Sequence, residues 1–324
     1  MNRFHRTLLS GLIALPLGSA VAAPFGYSVN SDDPTDGDHL YQIDLANGTE
    51  TDIGPVQSLG TTRTDIEGLA IAPDGRLWAL DDESSMLFPI HTATGQVYFA
   101  EEVSLSGFGA SAGNDFGMTF TCDGGLYVVT VADQSLYRLE LDGTATLVGP
   151  LGARISALAA LNQGDDLRLF GLGNGLMNDG DDPDNRSLYE IDPDTGAATL
   201  IGNVGAGVAD YFQAGLSFDE NGELWAITDR RTADAEPGSQ VLRLDINTGA
   251  GTVISTTTQT GYESLAVAPP VVCPTTTPIP EPPPPPPPGG SLNIESIPTL
   301  DAWGRAIGTI GLLLLGLAAI RRRY

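Results

Sequence analysis

The sequence predicts an all-β fold, a five-bladed β-propeller, followed by a Pro-rich linker and one C-terminal hydrophobic helix. Two repeated patterns and the way the domain ends fit together predict it. A hairpin pattern recurs five times, as LYQIDLANG at Leu40, LFPIHTATG at Leu87, LYRLELDG at Leu136, LYEIDPDTG at Leu188 and VLRLDINTG at Val241, at spacings of 47, 49, 52 and 53 residues. In each copy apolar residues alternate with polar ones before a turn ending in Gly, the pattern of a strand running into a β-hairpin. A second strand then follows, as in TATLVG (Thr144 to Gly149) and AATLIG (Ala197 to Gly202). Between the hairpins lie GLAIAPDGRLWAL (Gly68 to Leu80), GMTFTCDGGLYVV (Gly117 to Val129) and GLSFDENGELWAI (Gly215 to Ile227), with a degenerate copy from Ala157 to Gly171. Each reads as a short strand, a tight Asp-Gly or Asn-Gly turn and an aromatic-bearing strand. Together the patterns give four strands in about 50 residues, the period of propeller blades.

The ends of the domain are out of phase with the repeat. PFGYSVNS (Pro24 to Ser31) reads as a second strand, and ESLAVAP (Glu263 to Pro269) reads as a first strand. Placed in one blade, they close the ring and leave no open edge. That composite blade and four complete ones make five; a six-bladed ring with one unrecognised blade is the alternative. The first strands carry small residues, Ala70, Ala72, Ala159, Ala160, Ala266 and Ala268, which suits innermost strands crowded around a central channel. No segment before the tail has sustained helical periodicity.

Residues 1–22 read as a signal peptide: Arg3 and Arg6 are positive, Leu8 to Leu17 is mainly apolar, and Ala20-Val21-Ala22 is a small-x-small cleavage site with the cut after Ala22. The propeller occupies 23–272 and the linker 273–296, where PTTTPIPEPPPPPPPGG (Pro274 to Gly290) forms a stiff polyproline spacer. In 297–324, IPTLDAWG (Ile297 to Gly304) precedes a 15-residue apolar stretch, Ala306 to Ile320, and Arg321-Arg322-Arg323. That stretch is shorter than the roughly 20 residues that span a bilayer comfortably, and the arginines hold its end on the cytoplasmic side. In the order of motif, helix and basic end, with Ile297, Pro298, Thr299, Leu300, Trp303 and Gly304 in place, the tail resembles the IPTL-CTERM sorting signal of proteobacteria, a relative of PEP-CTERM. The resemblance implies an exosortase-type membrane transpeptidase as processing partner. It also implies membrane contact through the helix before processing, and a destination in the envelope, at the surface or outside a Gram-negative cell.

The chain has 41 acidic residues, 15 basic ones, all arginine, and a formal net charge of −26. Only nine of the arginines lie between Ala23 and Ser296, so nucleic acid and anionic lipid are poor partners for the domain. Dispersed Asp also keeps a surface hydrated without specifying any partner.

Few residues are placed for chemistry. After the signal only His39 and His91 remain, neither in a metal-ligand spacing, which argues against zinc and against a Ser-His-Asp triad. His91 stands where the repeated hairpin has Asp, a structural position. Cys122 and Cys273 should emerge on one face of the ring, either as a disulfide pinning the linker to the propeller or as two free thiols. Acidic residues gather in loops expected at one face: Asp32, Asp33, Asp36 and Asp38; Asp81 and Asp82; Asp179, Asp181, Asp182 and Asp184; with Asp65, Glu67, Asp115, Asp210 and Glu263 before the inner strands. Oxygen-only ligands suit Ca²⁺ or Mg²⁺, although NDGDDPDN (Asn178 to Asn185) lacks the full twelve-residue loop with its terminal Glu.

DIEGLAIAPDGRLWALDD (Asp65 to Asp82) resembles the blade-opening segment of propeller hydrolases, the β-propeller phytases and the gluconolactonase group. The resemblance implies a Ca²⁺ site at the channel mouth held by Glu67, a placement that Glu263 repeats on the adjoining blade; Asp65, from the same acidic face, is a further candidate ligand. The matching positions elsewhere are Phe116, Ser156 and Ala214, and only Arg63 and Arg154 are basic near the channel. That set lacks the carboxylate, Asn and basic cluster the hydrolases use. The expected function is therefore a non-enzymatic binding or envelope-interaction module displayed on a stalk. A calcium-dependent hydrolase of a small extracellular ester is the alternative.

Overall fold

The computed structural model describes residues 24–31, 37–109, 115–163, 166–175, 183–230 and 238–270. They form an all-β ring of five antiparallel sheets, a five-bladed β-propeller, which decides between five and six blades. The first blade holds β1 (Phe25–Val29), β2 (His39–Asp44) and β3 (Thr49–Pro55). The second holds β6 (Ile66–Ile71), β7 (Leu77–Asp81), β8 (Met86–Ile90) and β9 (Val103–Ser104), after a small hairpin of β4 (Gln57–Ser58) and β5 (Thr61–Thr62). The third runs through β10 (Phe116–Phe120), β11 (Leu126–Thr130), β12 (Ser135–Leu139) and β13 (Ala145–Pro150). The fourth has β14 (Ile155–Gln163), β15 (Asp166–Gly173), β16 (Ser187–Ile191) and β17 (Ala198–Asn203), and the fifth has β18 (Ala214–Phe218), β19 (Leu224–Thr228), β20 (Gln240–Leu244) and β21 (Gly251–Thr256).

The first blade is completed from the far end of the domain. Tyr27 N–H donates to the Ala266 carbonyl at 2.8 Å, Ala266 N–H returns the bond to Tyr27 at 2.9 Å, and Asn30 pairs with Tyr262. The segment 262–266 is thus the inner neighbour of β1, as the out-of-phase ends require. All five of its side chains are buried.

The apolar residues do not meet in one central core. They form five clusters, one at each joint between neighbouring blades; the joint that closes the ring holds Tyr41, Ile43 and Leu45 against Trp225, Ile227, Val241, Tyr262 and Leu265. Packing between blades covers both faces of a sheet, which explains why the second strands of the second, third and fifth blades, LWALD, LYVVT and LWAIT, are buried at every position. Outer strands mix exposed and half-buried residues instead. A β-bulge interrupts the outer strand pair in four blades, at Leu40/Tyr41, Leu136/Tyr137, Leu188/Tyr189 and Val241/Leu242. Such bulges increase the twist of an edge that would otherwise invite pairing with another chain.

Turn chemistry accounts for many of the acidic residues. The Asp44, Asp142, Asp192 and Asp245 carboxylates each accept from the backbone N–H two residues on, at 2.8 to 2.9 Å. His91 does the same in the second blade, where its Nδ1 accepts from Ala93 N–H at 3.3 Å. Backbone N–H groups, of Asp194 for Asp192, of Asn247 for Asp245 and of Arg76 for Asp74, hold these carboxyls below their ordinary value, and the Thr121 hydroxyl does so for Asp123.

Among the described residues there is no α-helix, only two 3₁₀ turns, η1 (Phe99–Glu101) and η2 (Pro183–Arg186). The chain separates into two units after Pro274. Residues 1–23 and 271–324, with the expected signal peptide, Cys273, the linker and the IPTL motif, lie outside the described residues.

Small residues mark the inner strands because those strands come close. A Cβ placed on Gly215 would sit 2.2 Å from the Leu265 nitrogen, with backbone rather than a movable side chain in its way. Gly215→Ala should therefore cost about 3 kcal/mol in chemical denaturation, by forcing β18 away from the closing segment. Deleting 262–270 should abolish the single cooperative unfolding transition rather than fray one end, which calorimetry reads directly. Because the Asp74, Asp123, Asp192 and Asp245 carboxyls are depressed in the folded state, their stabilisation is present above pH 3.8, the ordinary Asp value, and is lost as pH falls through their folded values. Melting temperature should therefore fall on acidification below about pH 4. Burial raises the Asp81 carboxyl, which opposes the trend at that one site.

Candidate functional site

The two mouths of the channel are where the inner strands bring side chains from all five blades together. One mouth is lined by Glu67, Phe116, Ser156, Ala214 and Glu263 with the residues that follow them, and its cavity is about 10 Å³, room for about one water. β-Bulges place two members of this set: the pairing of β6 with β7 slips between Ile66 and Gly68, at Glu67, and that of β14 with β15 slips between Ile155 and Ala157, at Ser156. A bulge re-aims the extra side chain. Glu67 and Glu263 are 4% and 2% exposed, so two carboxylates share the edge of one small cavity. Ser156 and Ser264 line it too, and their Oγ atoms are buried without a hydrogen-bond partner. Asp65 is half-buried and not among the lining residues.

The opposite mouth is lined mainly by apolar side chains. Leu69, Ile71, Phe120, Phe218, Pro269 and Pro270 help line a cavity of about 20 Å³. Its polar members are spent on the ring itself, since Thr119 Oγ1 accepts from Ala160 N–H at 3.1 Å and Ser217 Oγ accepts from Val267 N–H at 3.0 Å.

The other acidic candidates separate. Asp38 accepts from Ile66 N–H at 2.8 Å, Asp81 from Ser84 N–H at 2.7 Å, and Asp210 from Arg186 at 2.7 Å. These carboxylates hold loops in place. Asp32, Asp33, Asp36, Asp179, Asp181 and Asp182 lie outside the described residues. Arg63 is committed as well, to Glu102 and to the face of Phe88, 4.9 Å from the ring centre. His39 pairs with Asp52 at 3.0 Å, away from the channel lining. Cys122 is disulfide-bonded; its expected partner Cys273 lies outside the described residues.

A Ca²⁺ ion takes six to eight oxygen ligands. The mouth offers two carboxylates and two hydroxyls of this kind, a partial oxygen set. Among the described residues no three His, Cys, Asp or Glu side chains converge as a metal cage. The two serines were not legible as site residues, because a Ser in a crowded inner strand reads as a small filler; the signal was the alignment of Ser156 with Glu67 in the repeat.

No family model matches the chain, and no curated protein does. Solved structures align with it only at low similarity. Virginiamycin B lyase from Staphylococcus aureus aligns with 16% identity and a TM-score of 0.38 over 72% of this chain and 70% of that one. Hydrazine synthase from Kuenenia stuttgartiensis aligns with 14% identity and a TM-score of 0.36 over 75% and 68%. A protein of unknown function from Bacteroides caccae aligns with 12% identity and a TM-score of 0.34 over 71% and 72%.

A divalent cation between Glu67 and Glu263 would offset the repulsion of two carboxylates beside one cavity. Added Ca²⁺ should then raise the melting temperature relative to a chelator, and Glu67→Gln should shrink that gain. Superimposable melting curves with calcium and with chelator would reduce the pair to a structural rim.

Proposed function

We propose that this protein is an exported, surface-sorted propeller that works as a non-enzymatic binding or envelope-interaction module. The leader-like start, the polyproline linker and the IPTL-type tail support export and sorting by an exosortase-type enzyme. The linker follows the closing segment in the chain, so a covalent anchor at the tail would present the ring on a stalk. The observation that carries the non-enzymatic reading is the channel, whose mouths leave about 10 and 20 Å³. Ligand pockets for organic molecules are on the order of 300 Å³ or more. Contacts with a partner would then fall to the loops and the rim. The rival reading, a calcium-dependent hydrolase of the phytase or lactonase kind, is favoured by one observation, the shared placement of Glu67 and Glu263.

Two measurements test the proposal, one its sorting and the other its non-enzymatic character. Intact-mass analysis of material from the surface of the native host should find a C-terminus near IPTLDAWG; full-length chain ending at Tyr324 would instead mean simple anchoring. The mature protein supplied with Ca²⁺ should leave phytate, small lactones and small esters unchanged. Turnover that disappears in Glu67→Gln would establish the hydrolase.

A further inference from the structure

The five joints of the ring are not built alike. At four of them a backbone N–H two residues after the turn glycine of one blade donates to a carbonyl in the connector that leaves the preceding blade: Val97 to Gln57 at 3.0 Å, Ala145 to Ser106 at 2.8 Å, Ala198 to Leu151 at 3.0 Å and Gly251 to Val204 at 2.9 Å. The turn glycines are Gly95, Gly143, Gly196 and Gly249, each with positive φ. The fifth turn glycine is Gly48, φ +73°, and the residue two places on is Glu50. Glu50 stands opposite Ile43, as Ala145 stands opposite Leu139, Ala198 opposite Ile191 and Gly251 opposite Leu244. At this joint the bonding is reversed. The Glu50 carboxylate accepts from the connector, from Thr258 N–H at 2.8 Å, Gln259 N–H at 3.2 Å and the Tyr262 hydroxyl at 2.6 Å.

We propose that the joint between the last and first blades is a seam at which the ring opens reversibly, and that Glu50 is its clasp. Three features make this joint different. Its outer contact rests on side chains, where the other four use a backbone N–H: the half-buried Glu50 carboxylate holds the connector, and farther out the Ser255 hydroxyl donates to the Leu45 carbonyl at 2.9 Å. The residues it holds run into the start of the closing segment, which meets β1 through isolated bridges at Tyr27 and Asn30, with Ser31 N–H donating to the Gly261 carbonyl at 3.0 Å and the Ser28 hydroxyl to the Ser264 carbonyl, rather than through a continuous strand ladder. Neighbouring groups brace the clasp: Gln259 Nε2 donates to the Tyr41 hydroxyl at 2.9 Å, Tyr41 packs edge-on against Tyr262 with ring centres 5.5 Å apart, and the Asp229 carboxylate accepts from Gly261 N–H at 3.0 Å. Releasing Glu50 removes three of the hydrogen bonds on 258–262 at once, so this stretch opens first, and the rest of the closing segment, held by isolated bridges, follows it. The other joints keep their stitches, since each is a separate backbone contact.

Hydrogen–deuterium exchange of the purified protein under native conditions tests this. Amides from Thr258 to Ala266 should open faster than Val97, Ala145, Ala198 and Gly251. Glu50→Gln keeps the shape but sets an amide NH₂ against backbone donors, so it should speed exchange across Thr258 to Ala266 by about tenfold while leaving the four stitched joints within about twofold, since a charge-assisted hydrogen bond is worth about one such factor. Equal exchange at all five joints, faster opening at another joint, or a uniform response to Glu50→Gln overturns the proposal. The exchange order in the unmodified protein decides the matter by itself should the variant not fold.

Discussion

The pairing of Tyr27 with Ala266, from opposite ends of the domain, is the constraint on which the rest of the architecture depends. A blade is an open sheet with apolar residues on both faces, and it is stable only when a neighbour covers each face. In a row of five blades the two end blades would each leave a face in water. Drawing the last segment of the domain into the first blade removes both faces at once and creates the fifth apolar cluster, Tyr41 to Leu45 against Trp225 to Leu265. The gain is expected to be large, because burying each Leu, Ile or aromatic side chain contributes roughly 1.5–3 kcal/mol.

Closure also dictates the middle of the molecule. Five inner strands meeting around one axis have little space, and the backbone contact at Gly215 shows how little. Small residues and Gly follow from that geometry, as do hydroxyls that reach a neighbouring strand, such as Thr119 and Ser217. A channel filled in this way leaves cavities of only about 10 and 20 Å³ at its two mouths. What polar character remains at the mouth is concentrated in Glu67, Glu263, Ser156 and Ser264. The acidic surface has a partly structural origin: Asp44, Asp74, Asp192 and Asp245 are turn-capping residues before they are charges.

The fold was legible because its information is periodic. Alternation before a turn glycine recurs with every blade, so the outer hairpins could be placed from LYQID, LYRLE or LYEID alone, and the out-of-phase strands at Phe25 and Glu263 betrayed the closure. The β4–β5 hairpin, with Leu59 exposed at its tip at φ +49°, was not legible, nor was η1, because short insertions carry no period. The site was legible only in part. Repeat alignment located Glu67 and Glu263, since a charge at the start of an inner strand stands out, but it grouped them with Asp65, which does not line the cavity. Glu50 escaped because one polar residue in an outer strand looks like ordinary surface until its partners at Thr258 and Tyr262 are known.

A ring closed by its last segment makes one contact that no open arrangement can make. In the perdeuterated mature protein, scalar couplings across hydrogen bonds should connect Tyr27 N–H with the Ala266 carbonyl and Ala266 N–H with the Tyr27 carbonyl. Both couplings, seen beside those of the regular strand pairs, would establish the closure atom by atom. If the regular pairs show their couplings while Tyr27 is bonded elsewhere or to nothing, the first blade is not completed from the far end of the domain, and the account of the ring fails.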